Sequence, residues 1–206
     1  MKIITISREF GSGGRELGKR LADALGFDYY DREIITAIAK NQQLDEAYVE
    51  KVLDQHAWQM IPLTFHHSFS GANMLQTAQT NLLLEERRIL ESIVRLGKDC
   101  VIVGRNADIL LRDEHPLNIF VCADMDAKIR RCQERADSGE NLSYKQIERN
   151  ARSIDRARAQ TRNMISDSRW GARENYHLIV NTTDWEIKEL VPAVADFVRR
   201  YFERSK

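Results

Sequence analysis

Five short apolar runs, each four or five residues long, are separated by stretches of helical spacing, and this alternation restricts the fold more than any other feature of the chain. The runs are Ile3 to Ile6, Phe27 to Tyr30, Cys100 to Val103, Asn118 to Cys122 and His177 to Asn181. Most are continuously apolar and β-branched rather than alternating, the pattern of strands covered on both faces. Between the first two, Leu17, Leu21, Ala24 and Leu25 fall on one helical face and Gly26 stands where a C-cap glycine belongs. Asp31 is placed to cap a further helix through Ile34, Ile35 and Ile38. Later helices are predicted over Leu82 to Leu96, Asp126 to Arg135 and Trp185 to Arg204. The expectation is an α/β fold of three layers, with a five-stranded parallel sheet between helices on both faces.

Composition bounds the rest. At 206 residues and 43% hydrophobic content, the chain can bury one sizeable core, so residues 1–206 are read as a single domain. Residues 41–80, where periodicity weakens around Trp58, Phe65, His66, His67 and Phe69, read as a helical insertion, and the arginine-rich 138–173 as a mobile, lid-like segment. Lys+Arg and Asp+Glu both number 31, which leaves no overall basic field to draw in nucleic acid or an anionic membrane. Any anion site must therefore be local. No apolar run approaches the roughly 18 residues of a membrane span, and the opening residues lack the pattern of a secretory signal, so a cytoplasmic protein is expected. Cys100, Cys122 and Cys132 show neither CxxC nor metal-ligand spacing and read as reduced thiols. The apolar residues scattered through 58–84 leave a homo-oligomer open.

Parallel sheets of this kind bind ligands at the carboxyl ends of their strands. Those ends are Arg8-Glu9-Phe10-Gly11, Asp31-Arg32, Gly104-Arg105-Asn106 and Ala123-Asp124, a set that suits a phosphate-rich ligand. At the first of them Gly11-Ser12-Gly13-Gly14 leads into a helix, where glycines permit positive φ and successive N–H groups can converge on an anion. The reading needs Ser12 and Gly13 to lie open toward Arg105; the alternative is a tight turn that binds nothing. A near match to G-x-x-x-x-G-K-[ST] at Gly13 to Lys19 is a decoy, because it sets Gly18 and Lys19 inside the helix and has Arg20 where a hydroxyl is required.

From Arg8 to Leu25 the chain resembles the P-loop and first helix of bacterial cytidylate kinases. Gly11 and Gly13 fall on loop glycines of that family, Gly14 falls where its phosphate-gripping lysine stands, and Arg15 where a hydroxyl residue ligates Mg²⁺. Tyr30-Asp31-Arg32-Glu33-Ile34-Ile35 resembles the segment that holds the acceptor nucleotide. Val103-Gly104-Arg105-Asn106 resembles the Gly-Arg-Asp after the third strand, with Asn106 departing from the aspartate. Arg152 to Arg158 resembles the lid, best at Asp155 and Arg158. The resemblance implies a P-loop NTPase fold and an ATP-dependent nucleoside-monophosphate kinase using Mg²⁺. Nucleotide phosphates would then meet Gly11, Ser12, Gly13, Gly14, Arg15, Arg152 and Arg156, and the acceptor would meet Asp31, Arg32 and Arg105. Arg15, Arg158 and Asp155 would be catalytic. Metal ligands stay unassigned, with Ser12, Glu16 and Asp124 as candidates.

Other readings stay open. Seven arginines lie from Arg149 to Arg173, and a solvated face paired with Glu148 and Asp155 competes with a phosphate-closing lid. The absent loop lysine and hydroxyl would also suit a nucleotide sensor without turnover. A Rossmann-type dinucleotide site is disfavoured, because its third glycine falls on Glu16, whose charge opposes a pyrophosphate. No Ser-His-Asp or Cys-His constellation can be identified.

Overall fold

The computed structural model describes residues 1–31, 76–136 and 143–204, and all structural statements concern these. Arg32, Trp58, His66, His67, the helix after Asp31 and most of the 41–80 insertion lie outside them, as do residues 138–142 of the lid-like segment. In chain order the elements are β1 (Ile3–Arg8), α1 (Gly14–Leu25), β2 (Asp28–Tyr30), α2 (Gln76–Arg95), β3 (Cys100–Val103), α3 (Ala107–Leu110), β4 (Leu117–Cys122), α4 (Met125–Glu134), α5 (Tyr144–Asn163), β5 (Leu178–Asn181) and α6 (Ile187–Arg204).

The five strands form one sheet in the order β2-β3-β1-β4-β5, and every pairing is parallel. The first five residues of β1 and all four of β3 are buried in succession. Both faces of these strands are therefore covered, which is why their sequences show no alternation. Ile4, Ile6, Leu17, Leu21, Val101, Ile102 and Val103 form the heart of the core with Ile89 and Leu90 of α2 and Val194 of α6. A satellite cluster of Phe10, Ile129, Cys132, Ile147 and Ala151 fastens α4 and α5 beside the first turn.

Gly26 ends α1 in the left-handed conformation (φ 68°), where a Cβ would be strained. Helix α2 begins at Gln76, ahead of the apolar stripe that starts at Leu82; the polar Gln76 to Thr80 stretch contains no Gly or Pro to stop a helix extending back. The other predicted helices begin and end within a residue or two of their observed limits, the fraying expected of helix ends. Pro192 lies inside α6, five residues past its start, where its missing N–H removes one intrahelical hydrogen bond. No described helix is long and apolar enough to cross a membrane.

Candidate active site

The carboxyl ends of β1 and β3, the two central strands, bring the glycine turn and Gly104-Arg105-Asn106 face to face. Gly11 (φ 73°) and Gly13 (φ 77°) turn the chain from β1 into α1. Among the described residues, the amides of Gly11, Gly13 and Gly14 meet no hydrogen-bond acceptor. Main-chain donors withdrawn from water are nearly always paired, so three unpaired amides in one turn suit an incoming anion.

The turn is nevertheless more enclosed than its sequence suggests. Ser12 is fully buried; its Oγ donates to the Glu9 carbonyl (2.8 Å) and its carbonyl accepts from Thr182 Oγ1 (2.7 Å). Gly13 lies under Ile187, to whose Cγ1 an added Cβ would come within 2.7 Å. The expected opening at Ser12 and Gly13 is thus closed by the corner between β5 and α6. The route from the turn to β3 passes over Arg8 instead. A Cβ at Gly14 would lie 2.6 Å from Arg8 Cβ and 3.1 Å from its Cγ, while one at Gly104 would collide with the guanidinium.

Arg8 enters the sequence analysis only as one of the strand-end residues that suit a phosphate-rich ligand, without a role of its own. It is half-buried, and among the described residues it has no ion-pair or hydrogen-bond partner for its guanidinium. Burial, and after it the neighbouring Arg158, push its pKa down to about 9, with Arg105 adding to the effect and Tyr29 and Asp31 opposing it. Its own carbonyl accepts from Arg158 Nη1 (2.8 Å).

The other arginines of the site each carry a carboxylate. Arg15, in the first turn of α1, sets Nε and Nη2 both 2.9 Å from Asp31 Oδ2 at the end of β2. Tyr29 Oη reaches the same oxygen at 3.3 Å. Arg105 and Asn106 both hold positive φ (58° and 49°) directly after Gly104 (φ 80°), a left-handed run that costs about 1 kcal/mol or more per non-glycine residue. This backbone turns Arg105 toward Glu86 of α2, with which it pairs. Asn tolerates such a conformation better than most residues, which accounts locally for Asn106.

Asp155 and Arg158 dock α5 onto the first turn. Asp155 Oδ1 accepts from the Phe10 N–H (2.8 Å) and from Arg158 Nη1 (3.0 Å), while burial raises the pKa of its carboxyl. Lys128 of α4, unforeseen from the sequence, stands over Gly11 with Nζ 2.7 Å from Glu9 and 4.0 Å from Asp155. Glu9 in turn accepts from the Ala123 N–H (3.1 Å). Arg152 and Arg156 lie apart from this group on the exposed face of α5, Arg152 paired with Glu148 at 2.8 Å. The decoy lysine, Lys19, lies within α1 facing Asp23 at 3.3 Å.

The magnesium candidates do not make a site. Ser12 is spent on main-chain contacts, Glu16 is held by Arg20 (2.8 Å) and Arg135, and Asp124 is a single exposed carboxylate at the start of α4. No group of three His, Cys, Asp or Glu side chains that could hold a metal ion occurs among the described residues.

Solved structures share this architecture. An uncharacterized protein from Eubacterium ventriosum is 21% identical, with 97% of this chain and 99% of that one covered and a TM-score of 0.71. Shikimate kinase from Bacteroides thetaiotaomicron is 13% identical, with 96% and 98% covered and a TM-score of 0.52. Shikimate kinase from Acinetobacter baumannii, solved with shikimate, is 13% identical, with 98% and 94% covered and a TM-score of 0.51. Comparison with curated proteins gave no match. At such identities the likeness extends to the fold, a P-loop kinase fold, while the pattern of residues reaches further: the model of the cytidylate kinase-like family matches residues 3–184, and the chain belongs to that family.

Proposed function

We propose that this protein transfers the γ-phosphoryl group of ATP to a small phosphorylated acceptor, a nucleoside monophosphate, with cytidylate first among the candidates. One observation carries the reading: Arg8, Arg15, Arg105 and Arg158 converge from β1, α1, the end of β3 and α5 on the carboxyl edge of the sheet, beside glycine amides that meet no acceptor among the described residues. Phosphoryl transfer asks a protein mainly to position two phosphates and to neutralise the charge between them. Cations arriving from four separate segments answer that demand.

In this scheme the Gly11 and Gly14 amides meet the donor phosphates, since Ser12 and Gly13 between them are covered by Thr182 and Ile187, and Arg105 takes the acceptor phosphate. An acceptor oxygen attacks the γ-phosphorus; the bond to the oxygen bridging the β- and γ-phosphates breaks, and ADP leaves with that electron pair. Arg15 and Arg158 carry the developing charge. Asp155 acts as a positioning residue, since its carboxylate holds the Phe10 amide and Arg158 together. Arg152 and Arg156 reach the nucleotide only by a movement of α5.

A second reading rests on Gly14 and Arg15 standing in place of the loop lysine and hydroxyl: a nucleotide sensor that binds without turnover. Purified protein incubated with ATP, Mg²⁺ and a panel of nucleoside monophosphates separates the two. The expected result is ADP release that depends on the acceptor, with Arg105→Ala raising the acceptor KM about 10- to 100-fold, the value of one charge-assisted contact. ATP binding with no ADP from any acceptor would favour the sensor, and absence of ATP binding would remove both.

A further inference from the structure

We infer that Arg8 is the phosphate-gripping cation of this site, projecting from the last residue of β1 into the space that a side chain at Gly14 would otherwise take. The inference rests on the phosphate site proposed above and names the residue that anchors it. A Cβ at Gly14 would press on Arg8 Cβ and Cγ, and one at Gly104 on its guanidinium. Both glycines therefore clear the path of one side chain, the first for its stem and the second for its head. Val121 also limits the space at Gly14 (Cβ at 3.1 Å) and Gly104 holds φ 80°, but the nearest atoms at both positions belong to Arg8.

The charge pattern points the same way. Arg15 pairs with Asp31, Arg105 with Glu86, Arg158 with Asp155 and Lys128 with Glu9. Among the described residues Arg8 alone of these five cations has no carboxylate within ion-pair distance. It is also flanked by two like charges, Arg158 and Arg105. Tyr29 and Asp31 offset part of this, but a half-buried cation beside two others is unfavourable without an anion; a multiply charged anion removes the penalty and gains a bidentate fork. In ordinary P-loops the cation that reaches the β- and γ-phosphates is a lysine near the start of the helix. Here the charge comes from the strand side of the same turn, and its head lies toward Gly104 and Arg105, between the donor turn and the acceptor end.

The test measures binding of inorganic tripolyphosphate and of ATP by titration calorimetry, with circular dichroism and melting temperature to verify folding. The panel is the intact chain, Arg8→Met, Arg8→Lys, Arg8→Gly, and Arg8→Gly combined with Gly14→Lys. Expected are binding by the intact chain, at least tenfold weaker binding by Arg8→Met and Arg8→Gly, an intermediate loss for Arg8→Lys, and partial recovery in the double variant, where a lysine re-enters the vacated space. Binding by folded Arg8→Met equal to the intact chain overturns the role of Arg8 and leaves the phosphate site standing. Should Arg8→Met not fold, folded Arg8→Gly with undiminished affinity overturns it equally. Failure of the intact chain to bind either anion overturns the proposed function together with this inference.

Discussion

Arg8 and Arg162 are both drawn into the protein, yet they stand in opposite circumstances. Arg162, near the end of α5, is fully buried; its Nη1 lies 2.6 Å from Asp108 Oδ2 in α3, its Nε donates to Ser168, and its guanidinium lies 5.8 Å from the ring centre of Tyr176. Arg8, at the end of β1, has neither carboxylate nor acceptor among the described residues. A buried arginine with a carboxylate has its charge answered within the fold, even though Arg162 Nη2 and Asp108 Oδ1 meet no hydrogen-bond partner among the described residues, and its work is to join two elements. One without is left with an unmet electrostatic demand, which a ligand can meet. The comparison also separates two roles of α5: its Arg162 end is anchored to the helix that follows Gly104-Arg105-Asn106, and its Arg158 turn lies against the first strand.

The sharpest way to break the comparison is Arg162→Met. Removing one partner strands the Asp108 carboxylate in the interior, at a cost of about 3–5 kcal/mol. Chemical denaturation should record that loss, while tripolyphosphate should still raise the melting temperature of the variant that remains folded. Loss of the anion effect with little loss of stability would reverse the roles assigned to the two arginines.

Arg8→Met should move stability the other way. An ionised guanidinium held below its ordinary pKa by burial and by Arg158 costs the empty protein stability wherever it is charged. With its folded pKa lowered to about 9, the unfolded chain keeps the proton to higher pH than the folded one, so this group's contribution to stability rises with pH above about 9. The variant should therefore be more stable than the intact chain at pH 7, by about 1 kcal/mol as is usual for replaced functional residues, and the advantage should shrink as pH climbs past about 9. Melting curves of both proteins from pH 7 to pH 10 provide the measurement; a destabilised variant at neutral pH would mean that Arg8 belongs to the framework.

The same contrast explains what could be read from the residues alone. Strands such as Ile3 to Ile6 and Cys100 to Val103 announce themselves because burial on both faces demands unbroken apolar runs, and Gly26 marks a helix end because its φ of 68° demands glycine. Strand-end positions followed from the topology, so Asp31 and Arg105 were legible as neighbours, whereas Arg15, Asp155 and Arg158 were expected only from the resemblance to cytidylate kinases. What spacing cannot convey is which charge neutralises which. The pairing of Arg15 with Asp31 and the docking of Asp155 on the Phe10 amide join residues 16 and 145 positions apart. Arg8 could be placed at a strand end but given no role, because its neighbours are two glycines; the signal was the glycine at position 14, whose space a strand residue fills. Likewise the closure of the turn by Thr182 and Ile187 depends on contacts with a segment about 170 residues away.

The smallest effect belongs to the exposed face of α5. Arg152 sits 2.8 Å from Glu148 across one helical turn, with its side chain 64% exposed. Such pairs contribute about 0.3–0.5 kcal/mol, and salt screens them. Arg152→Ala should thus leave the melting temperature within about a degree or two and leave tripolyphosphate affinity unchanged, since the empty protein holds this arginine away from the cleft. Turnover is the discriminating readout. If α5 swings inward over bound ATP, Arg152→Ala and Arg156→Ala lower kcat without altering binding in the ground state, because an interaction made only in the closed, reacting complex is absent from both stability and affinity. If kcat stays as it was, the outer arginines are a solvated helix face, and the charge that moves the phosphoryl group comes from the inner set at residues 8, 15, 105 and 158.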